Sequence, residues 1–117
     1  MHILIAEDDG LYRETLVRMV EGWGHAVTAV ETGLAALEKG AAERIDLFLL
    51  DVFLPDMTAV DVIPRLRSFC PDANVITLTG QSSRELELVL RQLGIAYYMA
   101  KPVQASELKS ILDHMSR

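Results

Sequence analysis

The chain has 117 residues, of which 50% are hydrophobic, and this length and composition fit one globular domain over residues 1–117 with its own core. A formal net charge of -6, with acids and bases interspersed, gives no electrostatic basis for direct nucleic-acid or anionic-membrane binding. The single cysteine, Cys70, excludes an internal disulfide, and no apolar run approaches the roughly 20 residues that span a bilayer. Because the amino terminus turns acidic too early for a signal peptide, we expect a cytoplasmic protein.

Five short apolar or alternating runs are typical of buried strands, and each is followed by a segment with helical spacing. The predicted strands are residues 3–6, 25–30, 47–51, 74–78 and 95–100. The predicted helices begin at Leu11, after the capping Thr32, after Pro55, after Ser82 or Ser83, and at Val103. The first, third, fourth and fifth of them end near Gly22, Phe69, Gly94 and Met115. Since Pro64 is unfavourable inside a helix, the third helix is expected to start late or to bend.

The helices are expected to bury apolar stripes against the sheet. The residues assigned to these stripes include Tyr12, Leu16, Met19, Val20 and Trp23 in the first helix and Leu34, Leu37 and Ala41 in the second. In the later helices they are Val60, Ile63, Leu66, Leu86, Val89, Leu90, Leu93, Leu108, Ile111, Leu112 and Met115. Five alternations of strand and helix, without an internal repeat or a linker, favour an α/β fold with a doubly wound parallel sheet.

Polar side chains follow four of the predicted strands, and the carboxyl ends of such strands form the ligand site of a doubly wound sheet. These side chains are Glu7, Asp8, Asp9, Asp51, Thr79 and Lys101. Asp51 ends the most apolar strand, so its charge lies beside the core and needs a partner. Asp9 is expected to favour the start of the first helix through the helix dipole.

Four motifs, in this order and at the ends of alternating strands, resemble the receiver domain of two-component response regulators. The motifs are Ile5-Ala6-Glu7-Asp8-Asp9, Leu50-Asp51-Val52-Phe53-Leu54-Pro55-Asp56, Leu78-Thr79-Gly80 and Tyr98-Met99-Ala100-Lys101-Pro102. The resemblance covers residues 3–115. It implies a flavodoxin-like fold, with a five-stranded parallel sheet of order 2-1-3-4-5 and five helices.

By this resemblance, Asp51 accepts a phosphoryl group from a histidine kinase or a phosphotransfer protein and becomes an aspartyl phosphate. The reaction uses Mg²⁺, which Asp8 would ligate directly and Glu7 mostly through water. Asp51 itself and the Phe53 carbonyl complete the implied protein ligands, and Mg²⁺ retains several waters in such sites. Because three clustered carboxylates repel one another without the metal, Mg²⁺ is expected to stabilise the fold.

The resemblance also assigns the remaining parts of a switch. Lys101 pairs with Asp51 and then with the phosphoryl oxygens, and Pro102 aims it after a cis peptide bond. Thr79 donates its hydroxyl to the phosphoryl group, while Tyr98 is the switch aromatic that turns inward. The changed surface of the fourth helix, fifth strand and fifth helix would bind an effector protein or an output domain, or join two phosphorylated copies in a homodimer.

Two residues depart from the usual pattern of this family. Glu7 stands where Asp is commoner, which lengthens the arm by one methylene and favours water-mediated metal contact. Ala59 stands where Gly is usual, and if that position needs a positive φ, Ala would cost about 1 kcal/mol unless the loop is rebuilt. Phe53 and Gln81 occupy positions that tune hydrolysis of the acyl phosphate in this family.

The leading hypothesis is therefore a phosphorylation-dependent switch, rather than an enzyme that turns over a separate substrate. An alternative is a pseudo-receiver that binds protein partners without phosphorylation, although the intact Asp8, Asp51 and Lys101 argue against it. A flavodoxin-like cofactor protein or a small phosphatase is a third alternative. Three acids after the first strand disfavour a flavin phosphate, which needs a loop rich in Gly, Ser and Thr.

Overall fold

In the computed structural model, which describes residues 1–117, five strands alternate with five helices. The strands are β1 (His2–Ala6), β2 (Ala26–Val30), β3 (Leu47–Asp51), β4 (Asn74–Thr79) and β5 (Tyr97–Ala100). The helices are α1 (Gly10–Gly22), α2 (Gly33–Ala42), α3 (Ala59–Phe69), α4 (Arg84–Gln92) and α5 (Ala105–Met115). None of these helices combines the length and the hydropathy that crossing a bilayer requires.

The strands form one parallel sheet of order β2-β1-β3-β4-β5, which confirms the predicted fold class and strand order. In its register Ile5 lies opposite Leu49, and Asp51 lies opposite Leu78. The chain adds β2 on one side of β1 and then β3 on the other side. The loops that follow β1 and β3 therefore diverge and leave a crevice at the carboxyl edge of the sheet.

Both faces of the sheet are covered, and alternate residues of each strand therefore enter different cores. The core under α1 and α5 contains Ile3, Ile5, Leu16, Val20, Leu47, Leu49, Ile76, Leu78, Met99, Leu108 and Leu112. The core under α2, α3 and α4 includes Leu4, Ala6, Ala36, Phe48, Leu50, Val62, Ile63, Leu66, Val75 and Leu90. Since every residue of β3 is buried, this strand holds Asp51 rigidly at its end.

The helix starts agree with the predicted caps. The Asp9 carboxylate accepts from the N–H groups of Leu11 and Tyr12, so Asp9 is confirmed as the cap of α1. Thr32 caps α2, and of the two candidate serines it is Ser83 that caps α4. These side chains satisfy backbone donors that a helix leaves without a partner in its first turn.

Ala59 begins α3, four residues after Pro55, and Pro64 lies inside the helix, so the expectation of a start late enough to keep Pro64 out of the helix interior is wrong. Ala59 is fully buried, and its N–H donates to the Val52 carbonyl at 2.8 Å. No residue other than glycine has a positive φ. The anticipated cost of Ala at this position is therefore absent, because the backbone does not require glycine there.

Three residues assigned to buried stripes are exposed instead. Leu34 is 55% exposed and Val89 is 41% exposed, and Ala41 is also exposed. In α3, Val60 is half-buried and packs against the core as expected, while Val62 is fully buried beside it. On α2 the buried face consists of small residues, because a methyl group at Gly40 would lie 3.0 Å from the Phe48 ring.

The loop between β3 and α3 is tied to the start of α2 by Asp56. Its Oδ1 accepts from the Gly33 N–H at 2.8 Å, and its Oδ2 accepts from the Leu34 N–H at 2.9 Å. Both hydrogen bonds lower the pKa of the Asp56 carboxyl below its ordinary value of 3.8, and the bond from the Leu34 N–H has the larger effect. Only tertiary packing reveals this cap, since Asp56 lies 23 residues beyond the helix start.

We predict that Asp56→Ala lowers the free energy of unfolding by about 1 kcal/mol at neutral pH, as the loss of a helix cap does. Because the folded pKa of Asp56 is depressed, its stabilisation is complete above 3.8 and is lost as the pH falls through the folded value. Urea unfolding at neutral and at acidic pH measures both effects. Asp72→Ala, which removes another exposed acid, should change little at either pH.

Candidate functional site

The carboxyl edge of the sheet brings together an acidic cluster formed by Glu7, Asp8 and Asp51. Carboxylate oxygens from these three residues all lie within 4.8 Å of one another. Glu7 and Asp51 are only 1% and 5% exposed, while Asp8 is open to solvent. Negative charges this close and this shielded repel strongly, so the cluster requires cations.

Lys101 supplies the one positive charge that lies inside the cluster. Its Nζ donates to Asp51 Oδ2 at 3.0 Å and also forms an ion pair with Glu7 Oε1. Burial opposes the ammonium charge, but the hydrogen bonds to Glu7 and Asp51 outweigh it and hold the pKa of Lys101 above its usual range. The peptide bond from Lys101 to Pro102 is cis, as the resemblance implied.

Glu7 contacts Lys101 directly, which the sequence did not indicate. Desolvation raises the pKa of the Glu7 carboxyl, although its contacts with Lys101 and with the Asp9 N–H act in the opposite direction. Oε1 faces the Lys101 ammonium group and has no other partner. A carboxylate oxygen can accept more than one contact, so Oε1 can take a further cation.

The donor set fits a hard divalent cation. Glu7, Asp8 and Asp51 offer only oxygen atoms, the ligands that Mg²⁺ prefers, and the exposed Asp8 leaves room for the waters that Mg²⁺ retains. Phe53 lies next to the cluster, where its N–H donates to Asp51 Oδ1 at 3.2 Å. Phe53 is 44% exposed.

Thr79 ends β4, one residue beyond the partner of Asp51 in the sheet register, and is buried. Its Oγ1 accepts from the Gln81 N–H at 3.0 Å, which places both residues at this edge. Tyr98 lies outside the acidic cluster and is half-buried. Its hydroxyl shares a hydrogen bond of 2.9 Å with Ser82 Oγ, so it connects β5 to the loop before α4.

Tyr12 reaches the site from α1, although the sequence placed it only on a buried stripe. Its hydroxyl accepts from the Val103 N–H at 2.9 Å, and its ring centroid lies 5.3 Å from Lys101 Nζ. The one sequence signal for such a role is the hydroxyl itself, since a partly buried tyrosine usually finds a hydrogen-bond partner.

Comparisons with known proteins agree with this geometry. The family described as the response regulator receiver domain matches residues 3–113. The transcriptional regulatory protein CitT of Bacillus subtilis is 38% identical over 119 residues, covering 96% of this chain and 50% of that protein. The response regulator MprA of Mycobacterium avium is 32% identical over 108 residues, covering 92% of this chain and 47% of that protein. The chain thus spans about half the length of these two curated relatives.

A solved structure shows the same architecture over nearly the whole chain. The CheY-like response regulator receiver domain protein of Methanospirillum hungatei superimposes with a TM-score of 0.92 at 28% identity. The match covers 98% of this chain and 93% of that one. With the fold, the family match and the sequence relatives in agreement, the chain belongs to the receiver-domain family of two-component response regulators.

Proposed function

We propose that this chain is a phosphorylation-dependent signalling switch, a single receiver domain over residues 1–117. Asp51 would accept a phosphoryl group from the phosphohistidine of a histidine kinase or phosphotransfer protein. The observation that carries this proposal is the buried Asp51 carboxylate, held at the end of β3 and hydrogen-bonded to Lys101 within an acidic cluster. Such a carboxylate is a positioned nucleophile with a cation already beside it.

In the proposed step, an Asp51 carboxylate oxygen forms a bond to phosphorus while the bond from phosphorus to the histidine nitrogen breaks. The electron pair stays on that nitrogen, which then takes a proton from solvent. Lys101 neutralises charge on the transferred oxygens as it now does on Asp51. Thr79 contributes a hydroxyl hydrogen bond, because an oxygen that accepts from Gln81 still has its own proton to donate.

Glu7, Asp8, Asp51 and the Phe53 carbonyl are the proposed ligands of Mg²⁺. When bound, the ion would offset the repulsion within the cluster and the negative charge of the phosphoryl oxygens. We keep Phe53 and Gln81 as proposed determinants of acyl-phosphate lifetime. The Phe53 N–H donates to Asp51, while the Gln81 N–H donates to Thr79.

The proposed output is a change in the surface formed by α4, β5 and α5. Tyr98 belongs to β5, and its hydroxyl bonds to Ser82, three residues beyond Thr79. We propose that it moves as Thr79 turns toward the phosphoryl group. Leu88 and Val89 of α4 are exposed, as is Tyr97 of β5, and such side chains favour contact with another protein. The partner would be an effector protein, an output domain, or a second phosphorylated copy in a homodimer.

This assignment makes the chain a phosphoacceptor rather than a turnover enzyme, and it assigns no direct nucleic-acid or membrane binding. The net charge of -6 supports the absence of direct nucleic-acid binding in this proposal. We propose a cytoplasmic location, in keeping with the expectation from the amino-terminal sequence. The kinase and the effector would then have to reach the same compartment.

Intact mass spectrometry after incubation with acetyl phosphate tests the proposal. We predict that the wild type gains the mass of one phosphoryl group in the presence of Mg²⁺, and that Asp51→Asn gains none because the nucleophile is gone. Asp46→Asn is the matched control, since Asp46 is the acid just before the start of β3 and its carboxylate accepts only from the His2 N–H. It should be phosphorylated like the wild type.

An unmodified wild type that also fails to bind beryllofluoride with Mg²⁺ would contradict this function. The pseudo-receiver, which binds partners without phosphorylation, would then replace it. Release of more phosphate from a small phosphoester than one equivalent of bound phosphoryl group would instead indicate a phosphatase, and a yellow purified protein would indicate a flavin.

A further inference from the structure

Tyr12 makes two contacts with the segment that carries Lys101. Its hydroxyl accepts from the Val103 N–H, two residues beyond Lys101, at 2.9 Å. Its ring lies 5.3 Å from Lys101 Nζ, within the range in which an aromatic face attracts a cation. One side chain of α1 therefore contacts both the ammonium group and the backbone of the loop that positions it.

These contacts are not explained by core packing alone. Tyr12 is half-buried and lies at the start of α1, where the Asp9 cap fixes its backbone N–H. Leucine would fill an apolar position there equally well, but it has neither a hydroxyl to accept from Val103 nor a π face for Lys101. The Lys101 side chain is 21% exposed, so without lateral support its long stem has room to move.

We propose that Tyr12 is a positioning residue for the phosphoryl-transfer site, which holds Lys101 over Asp51 by clamping the β5–α5 loop. This inference rests on the proposed function of Asp51 and Lys101. Tyr12 itself touches neither Asp51 nor the incoming group, so it acts only through Lys101. The hydroxyl fixes the loop, and the ring limits where the ammonium group can lie.

The test compares Tyr12→Phe, which keeps the ring, with Tyr12→Leu, which keeps only apolar bulk. With saturating Mg²⁺ and acetyl phosphate, we expect the phosphorylation rate to fall about fivefold in Tyr12→Phe and about tenfold or more in Tyr12→Leu. The Mg²⁺ dissociation constant should stay unchanged, because no proposed metal ligand is altered. Phe69→Leu is the control, since it removes an exposed aromatic ring at the end of α3, and it should react like the wild type.

A double-mutant cycle separates positioning from general packing. Beryllofluoride affinity with Mg²⁺ is measured for Tyr12→Leu in the wild type and in Lys101→Met. The Tyr12→Leu effect should disappear when Lys101 is absent, since it acts through that residue. An equal loss in both backgrounds, or an equal loss in Phe69→Leu, would overturn the inference.

Amide hydrogen exchange at Val103 tests the clamp without phosphorylation. The exchange rate is compared between the unphosphorylated wild type and the folded Tyr12→Phe variant. Exchange about fivefold faster than in the wild type supports the clamp, and unchanged exchange overturns it. If the wild type accepts neither a phosphoryl group nor beryllofluoride, the proposed function fails. The clamp is then still judged by the Val103 exchange.

Discussion

Lys101→Met should lower the free energy of unfolding by about 2 kcal/mol at neutral pH in Mg²⁺-free buffer. The substitution leaves the buried Glu7 and Asp51 carboxylates close together without their cation. Breaking a fully buried pair costs more than this, but the Lys101 side chain is 21% exposed and water offsets part of the loss. Urea unfolding curves of both proteins measure the difference.

The pH dependence of this difference follows from the raised pKa of Lys101. A group whose pKa is raised by folding stabilises the folded state fully below its ordinary value of 10.5 and loses that effect as the pH rises through the folded value. On the acid side, the difference should shrink as Glu7, whose pKa is raised above 4.5, becomes protonated.

Lys109→Met is the matched control, because Lys109 also pairs with a carboxylate, that of Asp113, at 2.8 Å. Both of those side chains are about half exposed, so removing this pair should change the free energy of unfolding by less than about 0.5 kcal/mol. Equal losses of unfolding free energy from the two substitutions would contradict the view that the buried acidic cluster needs the Lys101 charge. Added Mg²⁺ should restore part of the loss in Lys101→Met only.

Asp8→Asn should weaken Mg²⁺ binding by about tenfold or more and slow phosphorylation by acetyl phosphate correspondingly. Asp8 is the exposed member of the cluster and the one that we propose to ligate the ion directly. In the absence of metal the variant should be slightly more stable than the wild type, because one of three repelling charges is gone. Thermal unfolding across a Mg²⁺ titration measures both effects.

Asp9→Asn is the control for Asp8→Asn, since it removes the same charge from the neighbouring position. Asp9 accepts the first N–H groups of α1, and asparagine caps a helix about equally well. This variant should therefore keep the Mg²⁺ affinity and the stability of the wild type. A loss of Mg²⁺ affinity as large as that of Asp8→Asn would contradict the assignment of Asp8 as a ligand.

The ten helices and strands, and the edge at which the polar residues meet, could be predicted from the amino-acid sequence. These features depend on local physics, since periodicity, caps and glycines act within one or two turns of the chain. Asp51 could be identified as a strand-end carboxylate because the run before it is wholly apolar. The strand order came from the family resemblance, and the sheet confirms it.

The contacts between side chains across the site, by contrast, become visible only when the packed elements are seen together. Glu7 pairs with Lys101, Tyr12 accepts from Val103, and Asp56 caps α2. Each contact joins residues far apart in the chain, from 23 positions for Gly33 and Asp56 to 94 positions for Glu7 and Lys101. Side-chain length and the spacing of the packed elements set such contacts, and neither is visible in a local pattern.

The same reason explains the misplaced stripe residues. Helical spacing shows that a helix has an apolar face, but the rotation of that helix on the sheet is set by how closely the two approach. α2 packs closely enough that Gly40 faces Phe48, which leaves Leu34 exposed. The sequence therefore determined the architecture and the candidate residues, whereas the packing of α1, α2 and the β5–α5 loop decided the contacts that hold them in place.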